Sequence, residues 1–350
     1  MKNLLKQYSL LIALCFVLTY AAFLLFQDRV ELIRVSGYTM GTSYDVQFVG
    51  KANNSIKEQV ELEISELLEE LDREIFSSYS STSELSRLNR FPDKAPFIVS
   101  DHLLNVLMLS EDIFKLSSGA FDITVGPLVN IWGFGPGSRD AHSEIPSPER
   151  IEQAMTNVGQ EYLSVNKNNS EVIKAKDISL DLSGIAKGYA VDEVASLLSS
   201  LRIDNFFVEI GGEIKVKGVK PGDLSWVPAI EAPVAGDSQV YKVLSSLGET
   251  ISIAGSGDYR NYYEVNGVRY SHEIDPRTGR PITHNLAAAF VLEESAAKAD
   301  ALATAFMVMG PSESKRVIQE SDIKALLILR ADGDEFRSFT SNGFDRYLER

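Results

Sequence analysis

FFVEIGGEIKVK, residues 206–217, reads as strand, turn and strand. Phe206–Ile210 is rich in strand-forming residues, and Glu213–Lys217 alternates polar and apolar side chains, the period of a half-buried strand. Gly211-Gly212 between them supplies the backbone freedom that a tight hairpin needs. The pattern recurs. Glu31 to Val49 splits into two strands around Gly41, and Tyr262–Val265 and Val268–Ser271 flank Asn266-Gly267, a strong hairpin signal. Leu326–Leu329 and Glu335–Phe339 close the chain the same way. Short strands are expected at Tyr162–Val165, Glu171–Lys174, Ile178–Leu182 and Leu286–Leu292. Helices come in blocks. Val60, Ile64, Leu67, Leu71 and Ile75 mark an amphipathic helix over Asn54–Ile75. Ser100 caps a second that runs to Ser118, and Ser147-Pro148 opens a third, closed near Gly159. Others are expected over Ile185–Leu201 and from the Ser295 cap to Met309, with Gly310 beyond. Strands joined by hairpins rather than helical crossovers define an α+β fold with mostly antiparallel sheets.

No Pro/Gly/Ser linker divides the chain after Asp28, so residues 31–350 read as one compact unit of two interleaved lobes at most. The first 27 residues differ. Lys2 and Lys6 precede YSLLIALCFVLTYAAFLLF, Tyr8–Phe26, which has no charge. As a helix it is roughly 28 Å long, close to a bilayer core. Positive charge before it and acidic residues after it place the remaining chain outside the cytoplasm. An uncleaved inner-membrane anchor, a cleaved secretory signal and a lipoprotein modified at Cys15 stay open; Leu14 is larger than a residue before a lipidated cysteine usually is. The expected location is the periplasmic side of the inner membrane.

The formal net charge is −15, and −17 after the two leading lysines are set aside. Such an acidic surface argues against nucleic acid as a partner. It leaves room for a nucleotide whose pyrophosphate is neutralised by a divalent cation. Cys15 is the only cysteine, which excludes disulfides and cysteine-ligated metals in the rest of the chain. A metal there needs oxygen or histidine ligands, the chemistry of Mg2+.

Four blocks carry candidate chemistry. GAFDITVGPLVNIWGFG, Gly119–Gly135, gathers glycines around Phe121, Ile131, Trp132 and Phe134, either a buried connection or a wall for a flat aromatic ligand. LDLSGIAKGYAVD, Leu180–Asp192, opens a helix, whose N-terminus attracts anions. Lys187 lies in its first turn, where the dipole disfavours a cation unless an anion is near; it reads equally as a solvated surface lysine. SGDYRNYYEVNGVRYSHEIDPRTGRP, Ser256–Pro281, puts His272 after a strand with Asp275 close in sequence, a candidate acid–base pair. In KADALATAFMVMG, Lys298–Gly310, Asp300 and Thr304 share a helix face and offer two oxygens to a hard cation; core packing with a helix-start charge is the plainer alternative.

These blocks, in this order, with TMGT at Thr39–Thr42 and Tyr79 in FSSYSSTSELSRLN, resemble the ApbE family, the FAD:protein FMN transferases. The similarity runs from about Val35 to the C-terminus. The resemblance implies FAD contacts at Met40, Tyr79, Ala120, Phe121, Asp122, Asp181, Lys187 and Ile274. It implies a magnesium site from the Gly184 carbonyl, Asp300 and Thr304, a catalytic role for His272, and an architecture of T-fold-like lobes. It further implies FAD as substrate and, as acceptors, exported flavoprotein subunits of electron-transfer complexes that present a Ser/Thr hydroxyl. Asp275 is expected to orient His272. A metal-dependent FAD pyrophosphatase and a non-catalytic periplasmic FAD carrier are the competing readings. The chain departs from the family pattern at Gly255, where many members have Thr, and at Ala303, where some have Asp. Position 187 is acidic in some relatives.

Overall fold

The computed structural model describes residues 30–51, 54–136, 145–234, 236, 239–331 and 335–349, with Tyr8 and Phe16. Apart from those two residues, the expected anchor at Tyr8–Phe26 lies outside the described residues; among the described residues no helix is long and apolar enough to cross a membrane.

Eight strands form one antiparallel sheet in chain order: β1 (Val30–Thr39), β2 (Thr42–Lys51), β3 (Phe206–Ile210), β4 (Glu213–Lys217), β5 (Ile251–Gly257), β6 (Leu286–Glu293), β7 (Lys324–Arg330) and β8 (Phe336–Thr340). The helices are α1 (Asn54–Glu69, continued by a π-helical turn to Phe76), α2 (Glu84–Arg90), α3 (Asp101–Leu116), α4 (Gly126–Ile131), α5 (Pro148–Met155), α6 (Ala186–Ser200) and α7 (Ala296–Glu320). The plan repeats: hairpin β1–β2, helices ending in α6, hairpin β3–β4; then β5, β6, helix α7 and hairpin β7–β8. The two ββαββ halves join where β4 pairs with β5. This is the α+β arrangement of two lobes expected from the sequence.

Alternation fixes what each sheet face covers. Val46, Phe48, Val208, Ile210, Ala254, Ala289 and Val291 face the helices and form the main core with α1, α3, α6 and α7. Ile214, Val216, Ile253, Phe290 and Ile328 face the other way, against Trp226, Ile230, Leu244 and Phe344. A third cluster of Leu128, Trp132, Ile151 and Ile274 lies under the hairpin Tyr262–Ser271.

Helices α6 and α7 cross where Gly188 admits the other backbone: a methyl at Gly188 would sit 2.3 Å from the Ala296 carbonyl oxygen. Asp192 of α6 caps α7, with Oδ1 accepting from Ala296 N–H (3.0 Å) and Oδ2 from Ala297 N–H (3.0 Å) and Ser295 Oγ (2.7 Å). Lys215 of β4 reaches the same carboxylate at 2.7 Å.

Three expectations need correction. Ile178–Leu182 is extended but makes only one bridge, Ser179 with Val125, because Asp181 and Leu180 bond loop and side-chain groups instead of a neighbouring strand. The last long helix does not end at Gly310; it breaks there, with φ 74°, and resumes through Pro311 to Glu320. Strand β5 has no counterpart in the sequence reading, since ISIAGSG lacks large side chains. It needs Gly255, where a Cβ would lie 2.4 Å from the Phe290 ring.

Gly188→Ala is expected to lower stability by roughly 1–3 kcal/mol, the cost of forcing packed backbone apart. A urea midpoint equal to that of the parent protein would show that the crossing can widen freely.

Candidate active site

A cleft of about 1650 Å³ opens at the end of the sheet that carries the β1–β2 and β3–β4 turns. It collects residues far apart in sequence. Met40 enters from the β1–β2 turn, in a left-handed conformation (φ 48°), its N–H held by Asp72 Oδ2 at 3.0 Å. Tyr79 stands on the rim, 75% exposed. Ala120, Phe121, Asp122, Phe134, Asp181, Gly184, Lys187, His272, Ile274, Asp300 and Thr304 line the same space. Every residue expected at the site except Asp275 therefore borders one cleft. Within the Gly119–Gly135 block the aromatics divide: Phe121 and Phe134 line the cleft, whereas Trp132 turns into the core and donates to the Gly279 carbonyl at 2.8 Å.

The Asp122 carboxylate braces its own loop. Oδ1 accepts from Thr124 N–H (2.8 Å) and Oγ1 (2.6 Å), and Oδ2 from Gln160 N–H (3.2 Å). Burial raises its pKa and these bonds oppose the rise. Asp181 Oδ1 accepts from Ser183 N–H at 2.8 Å and shapes the turn that leads to Gly184.

The seam between the two halves is unusually charged for an interior. Lys187 Nζ lies 3.2 Å from Glu213 Oε1 and 4.0 Å from Asp300 Oδ2. The anion that favours a cation in this first helical turn is thus a pair of protein carboxylates. Burial pulls the Lys187 pKa down, but Asp300 and Glu213 together outweigh it and raise it. Burial pushes the Glu213 carboxyl up, with Asp300 adding and Lys187 opposing. Glu273, also buried, is pushed up to about 8 by burial first and then by Asp258. Glu213, Glu273 and Ser256 are not singled out as site residues by the sequence. The signals were a carboxylate directly after the Gly211-Gly212 turn and another directly after His272.

Asp300 Oδ2 accepts from Gly188 N–H at 3.0 Å, while Oδ1 has no hydrogen bond among the described residues. Thr304 Oγ1 lies 3.0 Å from Ser256 Oγ. Gly184 abuts it: a Cβ there would meet Thr304 Oγ1 at 3.0 Å. Among the described residues Glu213 Oε2 is buried without a partner. A carboxylate oxygen, a hydroxyl and an adjacent glycine backbone make a donor set that fits a hard cation. Among the described residues no three His, Cys, Asp or Glu side chains are grouped for a metal, so any cation here relies on hydroxyl, carbonyl and non-protein oxygens.

His272 Nδ1 lies 3.0 Å from the Asn261 carbonyl oxygen. A carbonyl only accepts, so this bond assigns the proton to Nδ1 and leaves Nε2 without a hydrogen bond among the described residues, 3.7 Å from Glu273 Oε1. Burial lowers the His272 pKa, and the Asn261 bond opposes the drop. The expectation that Asp275 orients His272 does not hold. Asp275 pairs with Arg277, Oδ1 with Nε at 2.9 Å and Oδ2 with Nη2 at 3.0 Å, and the Asn261 carbonyl holds the imidazole instead.

A sequence profile of the ApbE family matches residues 40–327. The chain belongs to the ApbE family. It is 41% identical over 323 residues to the FAD:protein FMN transferase of Vibrio cholerae, covering 91% of this chain and 94% of that protein. The FAD:protein FMN transferase of Escherichia coli K12 is 35% identical over 324 residues, covering 91% and 90%. The solved flavin transferase ApbE from Vibrio cholerae superposes with a TM-score of 0.82 at 39% identity, over 91% of this chain and 100% of that one. The apo flavinyl transferase ApbE of Pseudomonas stutzeri gives 0.81 at 37%, over 93% and 98%.

The raised pKa of Glu273 makes a signed prediction. A carboxyl near 4.5 when unfolded and about 8 when folded keeps its proton in the fold, so stability falls as pH rises between those values. Glu273→Gln removes that loss. Its urea midpoint should gain on the parent progressively from pH 5 to pH 8; a gain that does not change with pH would show that the carboxyl titrates normally.

Proposed function

We propose that the chain transfers FMN from FAD to a Ser or Thr hydroxyl of an acceptor flavoprotein, with release of AMP, as a magnesium-dependent enzyme held on the periplasmic face of the inner membrane. The observation that carries the reading is the convergence of the His272 imidazole, the Asp300–Thr304 oxygens and the flavin-side residues Met40, Tyr79 and Ala120–Asp122 on one cleft. The cleft is larger than the ~300–1,000 Å³ of ordinary small-ligand pockets, which suits a dinucleotide together with an acceptor segment. The uncharged Tyr8–Phe26 segment between Lys2/Lys6 and an acidic body supports the location. Electron-transfer flavoprotein subunits exported to the same compartment are the expected acceptors.

In the reaction the acceptor hydroxyl oxygen bonds to the FMN-side phosphorus and the bond from that phosphorus to the AMP-side oxygen breaks. His272 Nε2 takes the hydroxyl proton, and AMP leaves with the bridging oxygen. Asp300, Thr304 and the Gly184 carbonyl would hold Mg2+, which supplies charge neutralisation on the pyrophosphate. Met40, Tyr79 and the Ala120–Asp122 loop hold the flavin half. A hydrolase would use the same cleft with water in place of the hydroxyl, so the acceptor product separates the two reactions.

Incubation with FAD, Mg2+ and an acceptor flavoprotein subunit should add FMN covalently to the acceptor, read by intact mass. Release of AMP with an unmodified acceptor would assign hydrolysis instead. Asp300→Ala should abolish transfer, and EDTA should stop the parent enzyme; unchanged activity in EDTA would remove the cation from the reaction.

His272→Ala should slow transfer by roughly 10²–10⁴-fold, the usual worth of a general base. FAD affinity should stay close to that of the parent protein. Because burial lowers the His272 pKa, the acid limb of the parent rate profile should lie below the ordinary histidine value of about 6.5, with the neutral, active imidazole present above it. An equal loss of FAD affinity would make His272 a pocket wall, not a base.

A further inference from the structure

We infer that the end of the sheet where β1 begins rests on a lipid surface, and that β1 holds the cleft away from it. The inference rests on the membrane-anchor reading of Tyr8–Phe26 and adds an orientation to it. Three residues separate Phe26 from Val30. Four Cα steps span about 14 Å even when fully extended, so a spanning Tyr8–Phe26 segment keeps Val30 within that distance of the bilayer. From Val30, β1 runs ten residues to Thr39, about 33 Å at ~3.3 Å per residue. The next residue, Met40, lines the cleft. Length alone allows an upright sheet, with the cleft far from the lipid, or a flat one, with the cleft beside it.

The exposed apolar side chains decide for the upright sheet. At the Val30 end, Val30 and Leu32 are exposed on β1, and Leu224, Val227 and Leu247 are exposed on the segment that follows β4. Hydrogen bonds fix that segment to the same end. Val49 N–H, near the β2 terminus, bonds the Asn205 carbonyl (2.9 Å), and Asn205 Oδ1 accepts from Val219 N–H (2.8 Å). Trp226 Nε1 donates to the Lys217 carbonyl at the end of β4 (3.0 Å), and Ser246 N–H to the Trp226 carbonyl (2.9 Å). β1 and β4 are three strand spacings apart, about 15 Å. These five side chains therefore fall within one small footprint beside the point where the anchor joins. The other exposed aliphatics on the body, such as Leu62, Ile98 and Val268, stand singly on separate elements, as they do on any soluble surface. At the opposite end the exposed residues are Tyr38, Tyr79 and a single aliphatic, Val240, beside or lining the cleft. An upright sheet places the reacting centre roughly 30 Å from the lipid by the same strand arithmetic, so the acceptor hydroxyl has to be presented by a segment well outside the bilayer.

The test uses the full-length chain carrying Cys15→Ser, with a fluorophore on Leu224→Cys or on Tyr38→Cys, in phosphatidylethanolamine/phosphatidylglycerol vesicles with spin-labelled headgroups. Neither position belongs to the proposed catalytic machinery, so transfer to a soluble acceptor should be unchanged in both. The Leu224 probe should be quenched several-fold more than the Tyr38 probe. Equal quenching, or stronger quenching at Tyr38, in protein that sediments with the vesicles overturns the orientation and leaves the anchor intact. Protein that stays in the supernatant overturns the anchor reading and the orientation together.

Discussion

The Asp192 carboxylate is the point through which the two halves of this molecule are registered. It belongs to the helix of the first half, yet it closes the N-terminus of the helix of the second and takes a lysine from the central strand β4. A negative charge at a helix N-terminus satisfies free N–H groups and meets the positive end of the dipole. Bonds to a charged group each contribute roughly 1.5–3 kcal/mol. The geometric effect matters more than the sum. Asp300 sits one turn inside α7, and a slip of one residue, ~1.5 Å, would break its bond to Gly188 N–H. The cap on α7 thus sets where the carboxylate and hydroxyl of the site stand relative to Gly184 and Lys187 on the other half.

That registration explains why so many charges are tolerated in the interior. On β4, Glu213, Lys215 and Lys217 point to the helix side while Ile214 and Val216 point to the second core. Glu213 meets Lys187 and Lys215 meets Asp192 there, while Lys217 pairs with the exposed Asp204 at the edge. Buried ion pairs add little net stability against apolar packing and cost several kcal/mol when one member is lost. Their place beside the cleft suits the pyrophosphate and cation that the proposed reaction would bring there. Lys187 faces both Glu213 and Asp300; burial pushes the Asp300 pKa up, and Lys187 and the Gly188 N–H bond oppose the rise.

Much of the fold was legible because its hairpins announce themselves. Asn266-Gly267 and Gly211-Gly212 force turns, and the strands beside them keep period two. The site blocks were legible as chemistry but not as a geometry. Nothing in the spacing says that Thr304 meets Ser256, forty-eight residues earlier, or that Asn261 holds His272. Proximity in sequence pointed to Asp275, but Arg277 lies two residues away and takes both its oxygens. The alternation of β4 shows a half-buried strand, but a sequence does not show that a helix covers its charged face with Lys187 and Asp192 as partners. Strand β5 was illegible for the opposite reason: close packing demanded small residues, and small residues carry no period.

The family departures at Gly255 and Ala303 can be placed by the same alternation. On β5, Ser256 points to α7 and meets Thr304, so Gly255 points to the other sheet face, where the Phe290 ring fills the space a larger residue would take. The hydroxyl missing at 255 therefore lies across the sheet from the Asp300–Thr304 donors and takes nothing from them. Ala303 is wholly buried in the main core; a carboxylate there would need its own partner, and the alanine avoids that cost. What remains for the proposed cation is one carboxylate oxygen, one hydroxyl and one backbone carbonyl. Mg2+ requires about six oxygens, so at least half of its shell must come from water and the substrate pyrophosphate. A protein site so sparse would hold the proposed ion firmly only with the dinucleotide present, which would couple cation binding to FAD binding within the same cleft.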